Sequence, residues 1–165
     1  RYNPKKGTKF YLFCGYMLTS DSHERFYKDI WELFQRIKIL MSYGCVGYVM
    51  RHEDYHKYEI SNLYVQIARW CNQQAFYKKM SFWEFCYRNQ SYWEEKTLKI
   101  TNRPAIKTFE QFNEDINSGY YDHVKMCLPL KTILRTLEKF PEHREDLLIA
   151  FNYKMANLVD SKLWE

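Results

Sequence analysis

Gly44-Cys45-Val46-Gly47-Tyr48-Val49-Met50-Arg51-His52-Glu53-Asp54-Tyr55-His56-Lys57-Tyr58-Glu59-Ile60 is the stretch whose reading decides the fold. Val46, Tyr48 and Met50 alternate, a polar segment from His52 to His56 intervenes, and Tyr58 and Ile60 alternate again. Period-two alternation puts successive side chains on opposite faces of a strand, so this pattern predicts a β-hairpin with a charged tip. Upstream, Phe26, Ile30, Leu33, Phe34, Ile37, Leu40 and Met41 recur at spacings of three and four, the signature of one apolar helix face. Thr19-Ser20-Asp21-Ser22 offers N-cap side chains, with Glu24 three residues after Asp21, and Gly44 sits where a left-handed C-terminal residue belongs.

Outward from this unit, Lys9 to Leu18 is a continuous apolar run that suits a buried strand or a short helix, which periodicity alone does not separate. Leu63, Ile67 and Trp70 fit a helix from Asn62, and Leu63, Val65 and Ile67 fit a third strand; the helix is the preferred reading. Ser81 with Glu84, Ser91 with Glu94 and Thr108 with Gln111 have the spacing of capping boxes, and the last of these helices should stop at Gly119. Pro129 suits a first helical turn, ahead of the stripe Leu130, Ile133, Leu134, Leu137 and Phe140. A final helix is expected from Pro141-Glu142 along Leu148, Phe151, Met155, Leu158 and Val159. The fold class is therefore α+β and predominantly helical: one compact region over 1–165, with a sub-boundary near 100–104 at Thr101-Asn102-Arg103-Pro104, dividing a helix-plus-hairpin half (1–100) from a helical half (105–165).

The composition narrows the function classes. Of 165 residues 46% are apolar and 19% aromatic, which excludes a disordered chain, and five Gly with four Pro are too few turns for a sandwich or barrel. The net charge of +5 permits phosphate contacts without demanding them. No apolar run approaches the roughly 18 residues needed to span a bilayer, and no export signal opens the chain, so the expectation is an intracellular protein, nuclear rather than cytoplasmic, without a membrane partner. Cys14, Cys45, Cys71, Cys86 and Cys127 are odd in number and contain no Cys-x-x-Cys pair, which suits core thiols rather than disulfides or a zinc ribbon.

His52-Glu53-Asp54-Tyr55-His56 matches His-Glu-x-x-His, and by that motif resembles the zincin metallopeptidases, in which two imidazoles on one helical face hold zinc beside a general-base Glu. At a hairpin tip those imidazoles would not converge. The helix, Gly44 and hairpin together resemble the recognition helix and wing of a winged-helix module. Tandem modules of this size look like those ending the small subunits of telomere and replication single-stranded-DNA complexes, where they often bind protein. That resemblance implies a non-enzymatic interaction module with a protein partner in a larger assembly and a DNA or RNA backbone as second ligand. Arg51, His52, His56 and Lys57 near the tip, with Lys5, Lys6 and Lys9 in the N-terminal arm, are the candidate phosphate contacts. Tyr77, Phe82, Trp83, Tyr87, Tyr92 and Trp93 exceed what one small core readily hides and are the candidate partner anchors. Tyr120-Tyr121-Asp122-His123-Val124-Lys125 with Leu130, Thr132 and Ile133 resembles the loop-to-helix passage of bromodomains, which implies an all-helical acetyl-lysine reader. No catalytic residue, cofactor or metal is expected on the preferred reading.

Overall fold

The computed structural model describes residues 8–16 and 23–160. Its first element is strand β1 (Lys9–Cys14), which resolves the opening apolar run; the capping residues expected at 19–22 lie outside the described residues, as do Lys5 and Lys6. Helix α1 (His23–Ser42) follows and buries Phe26, Ile30, Leu33, Phe34, Ile37 and Met41 of the stripe read from the spacing, with Leu40 half-buried. It ends in a Schellman arrangement: Gly44 adopts φ 65, its N–H donates to the Met41 carbonyl at 2.9 Å, and the Cys45 N–H reaches back to the Leu40 carbonyl at 2.9 Å. Strand β2 (Val46–Arg51) then pairs with β1 in parallel, in the register Lys9↔Val46 to Cys14↔Arg51.

The hairpin is therefore absent. Val46 to Met50 is a strand, but its partner is the segment before α1, because a parallel pair needs a long crossover and the 20-residue helix supplies it. Glu53–Lys57 is a 3-10 turn, and beyond it Tyr58 and Ile60 are core residues rather than strand residues. The Tyr58 ring stacks on Phe26 with centroids 4.0 Å apart, so it alternates for a packing reason with no strand present. Residues 46–60 therefore form no wing-like hairpin, and the described residues include a two-stranded sheet rather than helices alone.

The remainder is helical: α2 (Asn62–Cys71), α3 (Gln74–Tyr77), α4 (Phe82–Thr97), α5 (Phe109–Asn117), α6 (Tyr120–His123), α7 (Leu128–Lys139), α8 (Arg144–Phe151) and α9 (Met155–Leu158). The chain is thus α+β and predominantly helical. Ser81 and Thr108 form complete capping boxes with Glu84 and Gln111, and Pro129 lies in the first turn of α7. Ser91 and Glu94 cap nothing, because both are buried inside α4. There Glu94 accepts from Gln90 at 2.9 Å and from the Tyr120 hydroxyl at 3.1 Å. The expected last helix is three pieces, a 3-10 turn at Pro141–His143, then α8 and α9, interrupted at 152–154. No helix among the described residues is long and apolar enough to cross a membrane.

One hydrophobic core runs through all of this. Phe34 of α1 meets Trp70, Phe82 and Phe151, and Trp83 meets Phe109 and Phe112 across the loop containing Thr101–Pro104. The Trp83 indole donates to the Lys107 carbonyl at 2.9 Å, so the two sides of that loop share packing. Four of the five thiols are buried and Cys127 is half-buried. Burial pushes Cys14 and Cys71 up to about 12 and Cys127 to about 11, and raises the Tyr58, Tyr64, Tyr77 and Tyr87 phenols above their ordinary value. The sign follows from linkage. These groups stay protonated in the folded chain while the unfolded chain ionises from about pH 9 upward, so folding binds protons there and stability falls as pH rises. A urea-unfolding midpoint measured from pH 7 to 11 should hold level to about pH 8.5 and then decline steadily; a level midpoint to pH 11 would contradict this core.

Candidate interaction surface on the parallel sheet

Paired residues in a parallel sheet share a face, and successive pairs alternate between faces. Leu12↔Val49 points inward, with both side chains buried, and a Cβ added at Gly47 would lie 2.6 Å from Leu12 Cδ1 and 3.2 Å from Leu40 Cδ1 of α1. The intervening pairs Tyr11↔Tyr48 and Phe13↔Met50 point away from α1. They are 62%, 37%, 64% and 39% exposed, respectively. The Tyr11 and Tyr48 rings meet edge to face at 6.0 Å. Lys9 Nζ lies 5.8 Å from the Tyr48 centroid at one end, and Tyr16, also exposed, lies edge-on to His52 at 4.8 Å at the other.

The two edges of the sheet are treated differently. The His52 N–H donates to the Cys14 carbonyl at 2.8 Å, so the backbone groups of residues 10, 12 and 14 face β2 and those of 9, 11 and 13 face outward. On β2 the outward groups are occupied. The Asn72 carboxamide accepts from the Val49 N–H at 2.6 Å and donates to the Val49 carbonyl at 3.1 Å, as a neighbouring strand would, and the Cys71 thiol points at the Gly47 carbonyl at 3.7 Å. On β1 the Arg36 guanidinium covers the Phe13 carbonyl at 2.9 Å, while the outward N–H and C=O of Tyr11 have no partner among the described residues. One edge is blunted by a side chain and the other is largely open.

The C-terminal end of the strands is held by Asp29. Its Oδ2 accepts from the Gly15 N–H at 2.9 Å and from the Tyr64 hydroxyl, and burial together with that carboxylate raises the Tyr64 phenol. Gly15 packs against the 3-10 turn so closely that a Cβ there would stand 2.6 Å from the Tyr55 Cβ. Asp29, Tyr64, Arg36 and Asn72 were not singled out by sequence reasoning. The one available signal was Asp29, an acidic side chain three residues after Phe26 and next to Ile30 on the edge of the apolar stripe.

The expected site residues fall into three groups. Lys9 lies on the open face with Tyr11 and Tyr48, whereas Arg51 pairs with Cys14 on the face turned to α1; Arg51 is exposed and its guanidinium lies 4.9 Å from the Tyr55 centroid. His52, His56 and Lys57 gather at the 3-10 turn: the His52 Nδ1 accepts from the Asp54 N–H at 3.1 Å, His56 is exposed, and Lys57 pairs with Asp54 at 2.6 Å. That pairing holds the Asp54 carboxyl below, and the Lys57 ammonium above, its ordinary value. Of the six aromatic anchors, Tyr77, Phe82, Trp83 and Tyr87 are buried and present nothing to a partner; they pack on α2, α4 and α5 because the core is larger than one small module's. Trp93 is half-buried, and the exposed Tyr92 has the Arg88 and Arg103 guanidiniums over its ring at 4.2 and 3.3 Å.

The His-Glu-x-x-His spacing does not gather ligands. Among the described residues, the one group of His, Cys, Asp or Glu whose ligand atoms all lie within 4.8 Å of one another is His23, Glu24 and Glu142.

If Asn72 stands in for a strand, Asn72→Ala leaves the half-buried Val49 N–H and C=O without their partner at a cost of about 1–3 kcal/mol. Urea unfolding should show that loss, with amide exchange at Val49 rising faster than at Leu12; a variant as stable as the parent would refute the role. No family model, curated protein or solved structure matches this chain, so the surface is read from its own residues.

Proposed function

We propose that the protein is a non-enzymatic interaction module whose docking surface is the open face and β1 edge of the parallel sheet. The observation that carries this is the exposure of Tyr11, Phe13, Tyr48 and Met50 on one side of paired parallel strands. Parallel sheets are ordinarily covered on both faces, and four adjacent large apolar side chains left in water cost free energy that docking recovers, at about 25 cal/mol per Å² removed from solvent. The partner is a polypeptide. An extended segment can pair with the outward Tyr11 backbone groups while its own apolar side chains, or a helix following it, cover the aromatic face. Asn72 directs such addition to β1 by closing the β2 edge.

A second reading has its own support. Aromatic rings on a sheet with Lys9 beside them, and the exposed Arg51 at the strand end, suit the stacking of single-stranded nucleic acid, with the cations meeting phosphates. The module would then serve a nucleic-acid-handling assembly, in the nucleus, touching both a protein and a DNA or RNA backbone. The 3-10 turn contributes less to this than its composition suggests, because Lys57 is already neutralised by Asp54.

Photo-crosslinking separates the readings. A benzophenone amino acid at position 13 or 48 should give one discrete protein adduct in cells, and the same probe at Ile149, an exposed apolar residue far from the sheet in sequence, should not. Equal labelling from all three positions, or none, would refute the docking surface. Adducts dominated by nucleic acid, with oligonucleotide binding that weakens and loses salt dependence in Arg51→Glu/Lys9→Glu, would favour the second reading.

A further inference from the structure

We propose that His23, Glu24, Glu142 and His143 form a binding site for a divalent transition-metal ion of the zinc type, at the seam between the start of α1 and the 3-10 turn before α8. His23 Nε2 lies 3.2 Å from Glu142 Oε1 and 3.9 Å from Glu24 Oε1, while His143 Nε2 lies 3.8 Å from Glu142 Oε1 and 3.9 Å from Glu24 Oε2. Three of these four separations are too long for hydrogen bonds. They do suit co-ligands: with zinc bonds of about 2.0–2.1 Å, tetrahedral ligand atoms stand about 3.3 Å from one another. The ligand atoms of His23, Glu24 and Glu142 lie within 4.8 Å of one another, and His143, which meets the other Glu24 oxygen, completes the set by a further side-chain movement.

Both imidazoles are held by packing against aromatic rings. The His23 ring stacks on Phe140 with centroids 4.5 Å apart, and the His143 ring lies flat on Tyr27 at 3.5 Å and 6°. Ring orientation is therefore set before any ion arrives, which lowers the ordering cost of binding. Two imidazoles and two carboxylates match zinc in ligand type, and the carboxylates balance the dication's charge. Glu24 and Glu142 are exposed, so water and ions reach the site.

Four protein ligands with no open position make a structural rather than a catalytic centre. The ion would tie residues 119 apart in sequence, joining the βαβ unit to the C-terminal helices. This site is separate from the sheet surface and stands or falls independently of it.

The test is calorimetric titration of the chelator-treated full chain with zinc chloride, alongside cobalt(II) absorption. The expected result is saturable binding of one equivalent and the visible bands of four-coordinate cobalt. His23→Gln/His143→Gln should abolish both, and each single change should weaken affinity by at least about tenfold. Glu24→Gln, altering an exposed carboxylate, should weaken it likewise and guards against a double variant that fails to fold. His52→Gln/His56→Gln should bind as the parent does. The proposal is overturned if the parent chain shows no saturable binding, if the His23 and Glu24 variants bind undiminished, or if binding is lost in the His52/His56 variant instead.

Discussion

Everything in the N-terminal half depends on the parallel pairing of Lys9–Cys14 with Val46–Arg51. Parallel strands cannot be joined by a tight turn, so the chain must leave the sheet, cross one face and return. Helix α1 is that crossing, and its apolar stripe is what covers the inner face through Leu40 and its neighbours. With α1 packed over Leu12 and Val49 in this way, the alternation of each strand places Tyr11, Phe13, Tyr48 and Met50 on the other side. The open aromatic face thus follows from the topology and from the identity of four residues, and needs no further structural device.

Asp29 fixes where the unit ends. By accepting from Gly15 and from Tyr64 it joins the loop after β1 to α1 and α2 at once, and the Cys14 carbonyl and His52 amide complete the closure across the strands. Asn72, at the end of α2, then occupies the outward backbone of β2. Side chains from two helices thereby decide which backbone groups of the sheet remain available.

Much of the helical architecture is legible in the sequence because it is local. The stripe from Phe26 to Met41, the glycine at 44, the Ser81 and Thr108 boxes and Pro129 are each satisfied within a few residues of their own position. The hairpin is misread for the opposite reason. Alternation at Val46, Tyr48 and Met50 announces a strand and says nothing about its partner, which lies 37 residues earlier in register. Tyr58 and Ile60 alternate because Phe26 and the core receive them. The aromatic anchors fail similarly: Tyr77, Phe82, Trp83 and Tyr87 look surplus only to a half-sized core, whereas α2, α4, α5 and α7 build one large enough to enclose them. The residues that are open, Tyr11, Phe13 and Tyr48, sit in apolar runs that a sequence reading assigns to the interior.

The claim on which this account rests is that these strands run parallel with one aromatic face in water. Solution NMR with a soluble paramagnetic probe tests it directly. The account predicts a contact between the Tyr11 and Tyr48 rings, strong relaxation enhancement at Tyr11, Phe13, Tyr48 and Met50, and none at Leu12 and Val49. Cross-strand contacts between Val46–Met50 and Tyr58–Ile60 in their place, or protection of all four outward side chains in the isolated chain, would contradict it.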